Sequence, residues 1–336
     1  MKELIKELVE VYGPSGEEAA VRALIEEKIK ESVDRTFTDS LGNLFALREG
    51  APPLLMFSAH MDEIGVIVTH IDDKGFLRIA PVGGVAPHLL VGQRLRFKNG
   101  VLGTVHHEKI KELKELDWSK LYVDIGAADG DAAKKRLRIG DMACLHQPFV
   151  DLGGRYMAKA MDDRIGCAIL VEVARRLPPS LPQGVCFVFS AQEEVGLRGA
   201  TTAAYRLDPG YGFAVDVTMV GDTPEAPLMA VSLGRGPAIK VKDRSLLCHP
   251  RVRELMVETA EKHGIPYQLE VLERGGTDAG AIHLSREGVP SGAVSIPCRY
   301  VHTPSEMVDA GDVEHAVELI EKLILLSWPS PDEGWT

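Results

Sequence analysis

Glu193 and Glu194 stand side by side just after the apolar run Val185-Cys186-Phe187-Val188-Phe189. Like charges repel at such a strand exit, so the adjacency calls for a reason. A solvated loop or the first turn of a helix, where acids suit the dipole, is the bland one. A site that needs two carboxylates with different jobs is the chemical one. Residues of matching type occupy matching places elsewhere. His60 and Asp62 follow the apolar run 54–59, Asp216 ends the run 212–216, His302 comes shortly after the run 292–296, and Asp162 opens a helical segment in KAMDDR. Taken singly, a histidine there is a satisfied polar residue, and Asp162 or Asp163 is a helix cap. Taken jointly, about five uncompensated acids at one sheet edge are costly unless a cation sits among them. Two histidines and three carboxylates suit two divalent ions that share a bridging carboxylate and water, each ion keeping an open position. One glutamate is then left over as a proton shuttle. The ligand types do not choose between zinc and cobalt.

Bringing these residues together requires an α/β fold, because ligands of open sheets bind beyond the carboxyl ends of the strands. The periodicity supports one. Two helices are expected at the start of the chain, the first ended by Gly13-Pro14 and the second, carrying Ala19 to Ile29, capped by Ser15. A hairpin follows over 37–46. Then come strand 54–59, helix 163–177, strand 185–190, helix 196–206, strand 212–216, helix 250–263, strand 267–271, helix 279–286, strand 292–296 and helix 311–327. Alternation of this kind gives a mainly parallel sheet with helices on both faces. Between them the texture changes to short alternating strands with Gly and Asp turns (65–71, 75–80, 93–97, 100–105 and 120–125), interrupted by helical candidates at 109–116 and 130–136. The expected organisation is therefore an α/β domain of residues 1–63 and 157–336, with a small β-barrel-like domain, 64–156, inserted into it.

Composition narrows the partners. The 336 residues are 45% hydrophobic and 26% charged, as in an ordinary globular protein. With 49 acids against 38 bases and a net charge of −11, nucleic acid is not an expected partner. No stretch approaches the roughly 18 apolar residues of a membrane span, and MKELIKELVEVYG lacks the core of a signal peptide. The five cysteines are scattered without a CxxC pair, the usage of reduced thiols in a cytoplasmic protein. His106-His107-Glu108 resembles a ligand cluster, but neighbours on a strand should point to opposite faces. Asp278, after Gly275-Gly276-Thr277, reads as a helix cap, and its glycines as turn residues or a close backbone approach.

HMDEIG, KAMDDRIG, SAQEEVGLRGA, AVDVT, RGGTDAG and VHTPSEMV occur in the order seen in the tetrahedral, or TET-type, aminopeptidases. These are cocatalytic di-metal exopeptidases that include glutamyl and deblocking aminopeptidases. The chain resembles them over nearly its whole length, including YGPSGEE and APVGGV. The resemblance implies that His60 and Asp216 hold a first metal, Glu194 and His302 a second, and that Asp162 bridges the two. It implies Glu193 as general base and acid, and Asp62 as the carboxylate that orients His60. The activity implied is removal of the amino-terminal residue of short peptides by a metal-bridging hydroxide. It further implies that the inserted β domain makes dimer contacts and that dimers build hollow twelve-subunit tetrahedra. The rival readings are an N-deacylase or amidase acting on small acylated substrates with the same site, and a catalytically silent assembly protein.

Overall fold

The computed structural model describes residues 1–226 and 228–331. Its main body is an 11-stranded sheet. Four parallel strands form the middle, in the order Gln183–Ser190, Ala51–His60, Tyr211–Thr218 and Ser291–Arg299. Antiparallel strands extend it on both sides: Leu44–Arg48 and Arg35–Thr38 on one, Glu306–Asp309, Arg155–Ala158 and Val150–Asp151 on the other. A branch of Ala238–Lys242 and Gln268–Val271 also pairs onto Ser291–Arg299.

The central strands are apolar on both faces because helices cover both. Every residue of Gln183–Ser190 and Tyr211–Thr218 is buried. Side chains alternate between two cores. Phe57, Phe187, Phe189 and Phe213 face the helices Lys2–Glu10, Ala19–Ile29, Met161–Arg176 and Ala310–Ile324, whereas Met56, Cys186 and Val188 face Arg198–Leu207 and Ala279–Ile282. Phe57 and Phe213 stack with their ring centroids 4.6 Å apart. All five cysteines are buried and unpaired. Among the described residues, no helix is long and apolar enough to cross a membrane.

The strands between 65 and 145 close into a separate six-stranded barrel: Gly65–Ile71, Leu77–Val82, Leu121–Asp124, Leu102–His107, Arg94–Phe97 and Met142–Leu145. It has its own core, built on Val66, Val68, Leu77, Leu95, Phe97, Val105, Leu121 and Val123. The sixth strand, absent from the pattern-based expectation, pairs with both Gly65–Ile71 and Arg94–Phe97 and so removes the sheet's edges.

Several local expectations are corrected. Helix 109–116 reduces to a single 3₁₀ turn, Leu113–Glu115, and helix 279–286 to Ala279–Ile282. Ser15 does not cap Ala19–Ile29; its hydroxyl instead donates to Asp62 Oδ2 at 2.6 Å. His106 and His107, at the end of their strand, stack against each other at 5.0 Å instead of diverging. Each turns Nδ1 onto the backbone carbonyl of the following residue.

Candidate active site

Strand register sets the frame of the site. His60 lies opposite Ser190, and Ser58 opposite Ala214, so two residues further along His60 and Asp216 come abreast on neighbouring parallel strands. His60 Nδ1 donates to the backbone carbonyl of Asp62 at 3.0 Å. That bond turns Nε2 toward the acids: Asp162 Oδ1 at 3.0 Å, Glu193 Oε2 at 3.9 Å and Asp216 Oδ1 at 3.9 Å.

His302 is organised the same way from the opposite side. Its Nδ1 donates to the Gly84 carbonyl at 3.1 Å, and its Nε2 lies 3.2 Å from Asp162 Oδ2 and 3.3 Å from Glu194 Oε2. Gly84 belongs to the APVGGV stretch at the edge of the barrel. A Cβ there would sit 2.6 Å from His302 Nδ1, so only glycine allows this approach.

Asp162 is thus the shared element, one oxygen toward each imidazole. The helix-cap reading belongs to its neighbour. Asp163 Oδ1 accepts the Gly166 amide at 3.1 Å while its Oδ2 accepts the His60 amide at 3.1 Å. With that work done by Asp163, and with Asp162 itself off helical geometry at ψ 105, Asp162 is free to face the histidines.

The adjacent glutamates are fanned apart by one buried carboxylate. Asp62 Oδ1 accepts the Glu193 amide at 3.0 Å and Oδ2 the Glu194 amide at 3.2 Å. The Asp62 carboxylate itself stands 3.5 Å from His60 Nδ1, further than the Asp62 carbonyl at 3.0 Å. Beneath the pair lies Asp278, which makes no capping bond. Its Oδ2 accepts the hydroxyls of Ser58 and Ser190, both at 2.6 Å. Nearby, buried Arg164 donates to the carbonyls of Met61, Leu8 and Gly13, and with Lys159 it pairs with Glu63, fixing HMDE and KAMDDR to the amino-terminal segment.

The electrostatics are those of an acid cluster whose contacting basic groups are the two imidazoles, with Lys240, Arg244 and Arg274 lining the same cavity. Among the described residues, no lysine or arginine pairs with Asp162, Asp163, Glu193, Glu194 or Asp216. Burial pushes the carboxyls of Glu193, Asp216 and Asp163 well above the ordinary range, and neighbouring acids add to the rise. Burial works against the charged form of Asp162 too, yet hydrogen bonds from His302 and His60 hold it below the usual value. Burial would also depress His302, but Asp162 and Glu194 raise it to about 12.

Two sets of ligand atoms, His60–Asp162–Glu194 and His60–Asp163–Asp216, each gather within 4.8 Å. Imidazoles fixed through Nδ1 with Nε2 aimed at carboxylates, in an acid excess, fit divalent cations. The group opens into a cavity of about 760 Å³, lined also by Thr218, Met219, Leu272, Gly276 and Val301.

All seven residues singled out in the sequence therefore converge. Asp163 and Asp278 were read only as caps, and Glu306, whose carboxylate accepts the backbone amides of Asp162 and His302, was not singled out. Each is an acid inside one of the six motifs, but nothing in their spacing told a supporting carboxylate from a cap or a surface acid.

Residues 42–319 match the family model described as M42 glutamyl aminopeptidase. A lysyl aminopeptidase of Pyrococcus furiosus is 36% identical over 336 residues, covering 96% of each chain. The TET aminopeptidase of a marine sediment archaeon, Thaumarchaeota archaeon SCGC AB-539-E09, superposes with a TM-score of 0.95 at 34% identity, covering 100% of this chain and 99% of that one. The TET1 peptidase of Pyrococcus horikoshii, described as assembling into a tetrahedron or a large octahedral shell, superposes at 0.88 with 33% identity over 96% and 99%. Matches this extensive leave no place for a catalytically silent reading. The chain belongs to the M42 glutamyl aminopeptidase family and is a peptide-bond hydrolase.

Proposed function

We propose that the protein removes the amino-terminal residue of short peptides with the help of two divalent ions, zinc or cobalt. His60 and Asp216 would hold one ion, Glu194 and His302 the other, and Asp162 would serve both. The observation that carries this reading is the placement of Asp162, whose two oxygens address different histidines at 3.0 and 3.2 Å. Ions bound there would polarise the scissile carbonyl and make water acidic enough to attack it. Glu193, on the cavity side of the pair, accepts the proton released in that attack and delivers it to the leaving amine. Asp62 keeps Glu193 and Glu194 in separate directions by holding both amides. A free substrate α-amine is stabilised by the surrounding acids, which restricts cleavage to amino-terminal residues. An aminoacyl-nitroanilide panel run beside N-acylated amino acids tests the reading. Turnover of the free-amine compounds is expected, and cleavage of the blocked compounds alone would make the protein an amidase.

The same reading treats residues 64–156 as a dimerisation domain inserted into a catalytic domain of 1–63 and 157–336, with dimers combining into a twelve-chain tetrahedral particle. Leu102 and Ile139 on the barrel are 47% and 67% exposed, which suits burial against another chain. Light scattering should return a mass near twelve chains, and charging this surface with Leu102→Glu and Ile139→Glu should shift it to smaller species. A wild-type monomer would overturn the assembly.

A further inference from the structure

We infer that Glu306 is a positioning residue that sets the distance between the two halves of the metal centre. The inference rests on the two-ion reading above and goes beyond it, because Glu306 is outside the ligand set. Its side chain is buried at the start of the strand Glu306–Asp309, opposite Ala158 in register. Oε2 accepts the backbone amide of Asp162 at 3.0 Å, and Oε1 accepts the backbone amide of His302 at 2.7 Å. One carboxylate thus holds the main chain of both residues whose side chains meet at 3.2 Å.

Both ligands sit on corners that need holding. Ala160, two residues before Asp162, has φ 54, and Tyr300 and His302 both have φ 62. Left-handed geometry is unfavourable for side chains of these types and persists only where surrounding bonds impose it. Glu306 supplies one such bond to each corner. Among the described residues no lysine or arginine pairs with it, so its two buried oxygens are committed to those two amides. In Glu306→Gln, one of the two amides would face an NH₂ donor instead of an acceptor. The Asp162 and His302 corners would then lose their common reference.

Asp312 offers a matched control. It is also buried and also accepts two backbone amides, those of Gly234 and Gly236 at 2.7 and 2.6 Å, but neither belongs to a ligand segment. The test is zinc titration of the chelator-stripped full chain against a chromophoric chelator, with thermal unfolding of each stripped protein alongside. Wild type is expected to bind two ions. Glu306→Gln should weaken the position served by His302 and Asp162 by about 10–100-fold, the usual consequence of removing a ligand's support. Asp312→Asn should lower the unfolding midpoint and leave zinc affinity unchanged. Wild-type affinity in Glu306→Gln overturns the inference, as does an equal loss in Asp312→Asn, which would mark a general packing effect. Should Glu306→Gln not fold, Glu306→Asp keeps the carboxyl group on a side chain too short to reach both amides, and wild-type affinity there overturns the inference equally. Two ions in wild type with no change in the Glu306 variants removes this inference alone; no ions in wild type removes the two-ion reading with it.

Discussion

Glu193→Gln is expected to lower kcat by about 10²–10⁴-fold, the range for loss of a positioned proton carrier, while both ions stay bound. Glutamine matches glutamate in shape, so the backbone bond from residue 193 to Asp62 at 3.0 Å survives and the neighbouring ligands keep their places. What is lost is the ability to take a proton from the attacking water and return it to the amine. Glu194→Ala is the contrasting variant. Glu194 Oε2 lies 3.3 Å from His302 Nε2 and 12% of the Glu193 side chain is exposed against 4% for Glu194, so the deeper residue is the one committed to the ligand set. Removing it should cost one ion per chain by elemental analysis and abolish activity. Retention of most activity by Glu193→Gln would end the assignment of the proton carrier. An ion lost from Glu193→Gln but kept in Glu194→Ala would exchange the two roles.

That exchange is worth testing because adjacency alone never distinguished the two residues. The strands were legible since an apolar run such as 185–189 buries both faces, and burial on both faces places its end at the ligand-binding edge. His60, Asp62, Glu193, Glu194, Asp216 and His302 followed from that rule, whereas Asp162 stood out at the start of a helical segment. The barrel was legible for the same kind of reason, as alternating segments between turns. What stayed hidden depends on partners distant in sequence. Ser15 looks like a cap until Asp62, 47 residues away, is seen to accept its hydroxyl. Asp278 looks like a cap until Ser58, 220 residues away, and Ser190 are brought beneath it by the parallel register. His106 and His107 should diverge on an ideal strand, but theirs ends there, and carbonyl bonds to both Nδ1 atoms accompany a stack no alternation rule contains.

Removal of the ions should abolish activity and also weaken the fold. Asp162, Asp163, Glu193, Glu194 and Asp216 crowd one sheet edge, and with no lysine or arginine pairing with them among the described residues, their burial and mutual repulsion weigh on the native state. Two divalent ions offset that charge only when the chain is folded, because the ligands come from segments as distant as His60 and His302. Binding confined to the folded form stabilises it by about 2.7 kcal/mol per site at a hundredfold excess over Kd. Two such sites give roughly 5 kcal/mol, a shift on the order of 5–10 °C for a chain of this size. Exhaustive chelation followed by calorimetry should show that fall, and added zinc or cobalt should restore the midpoint and the turnover together. Glu193→Gln should show the same thermal response without any return of turnover, separating what the ions do for the fold from what the side chain does for the reaction. Full activity and an unchanged midpoint after chelation would mean that the acids are balanced by something other than cations, and the ligand assignments would fall with it.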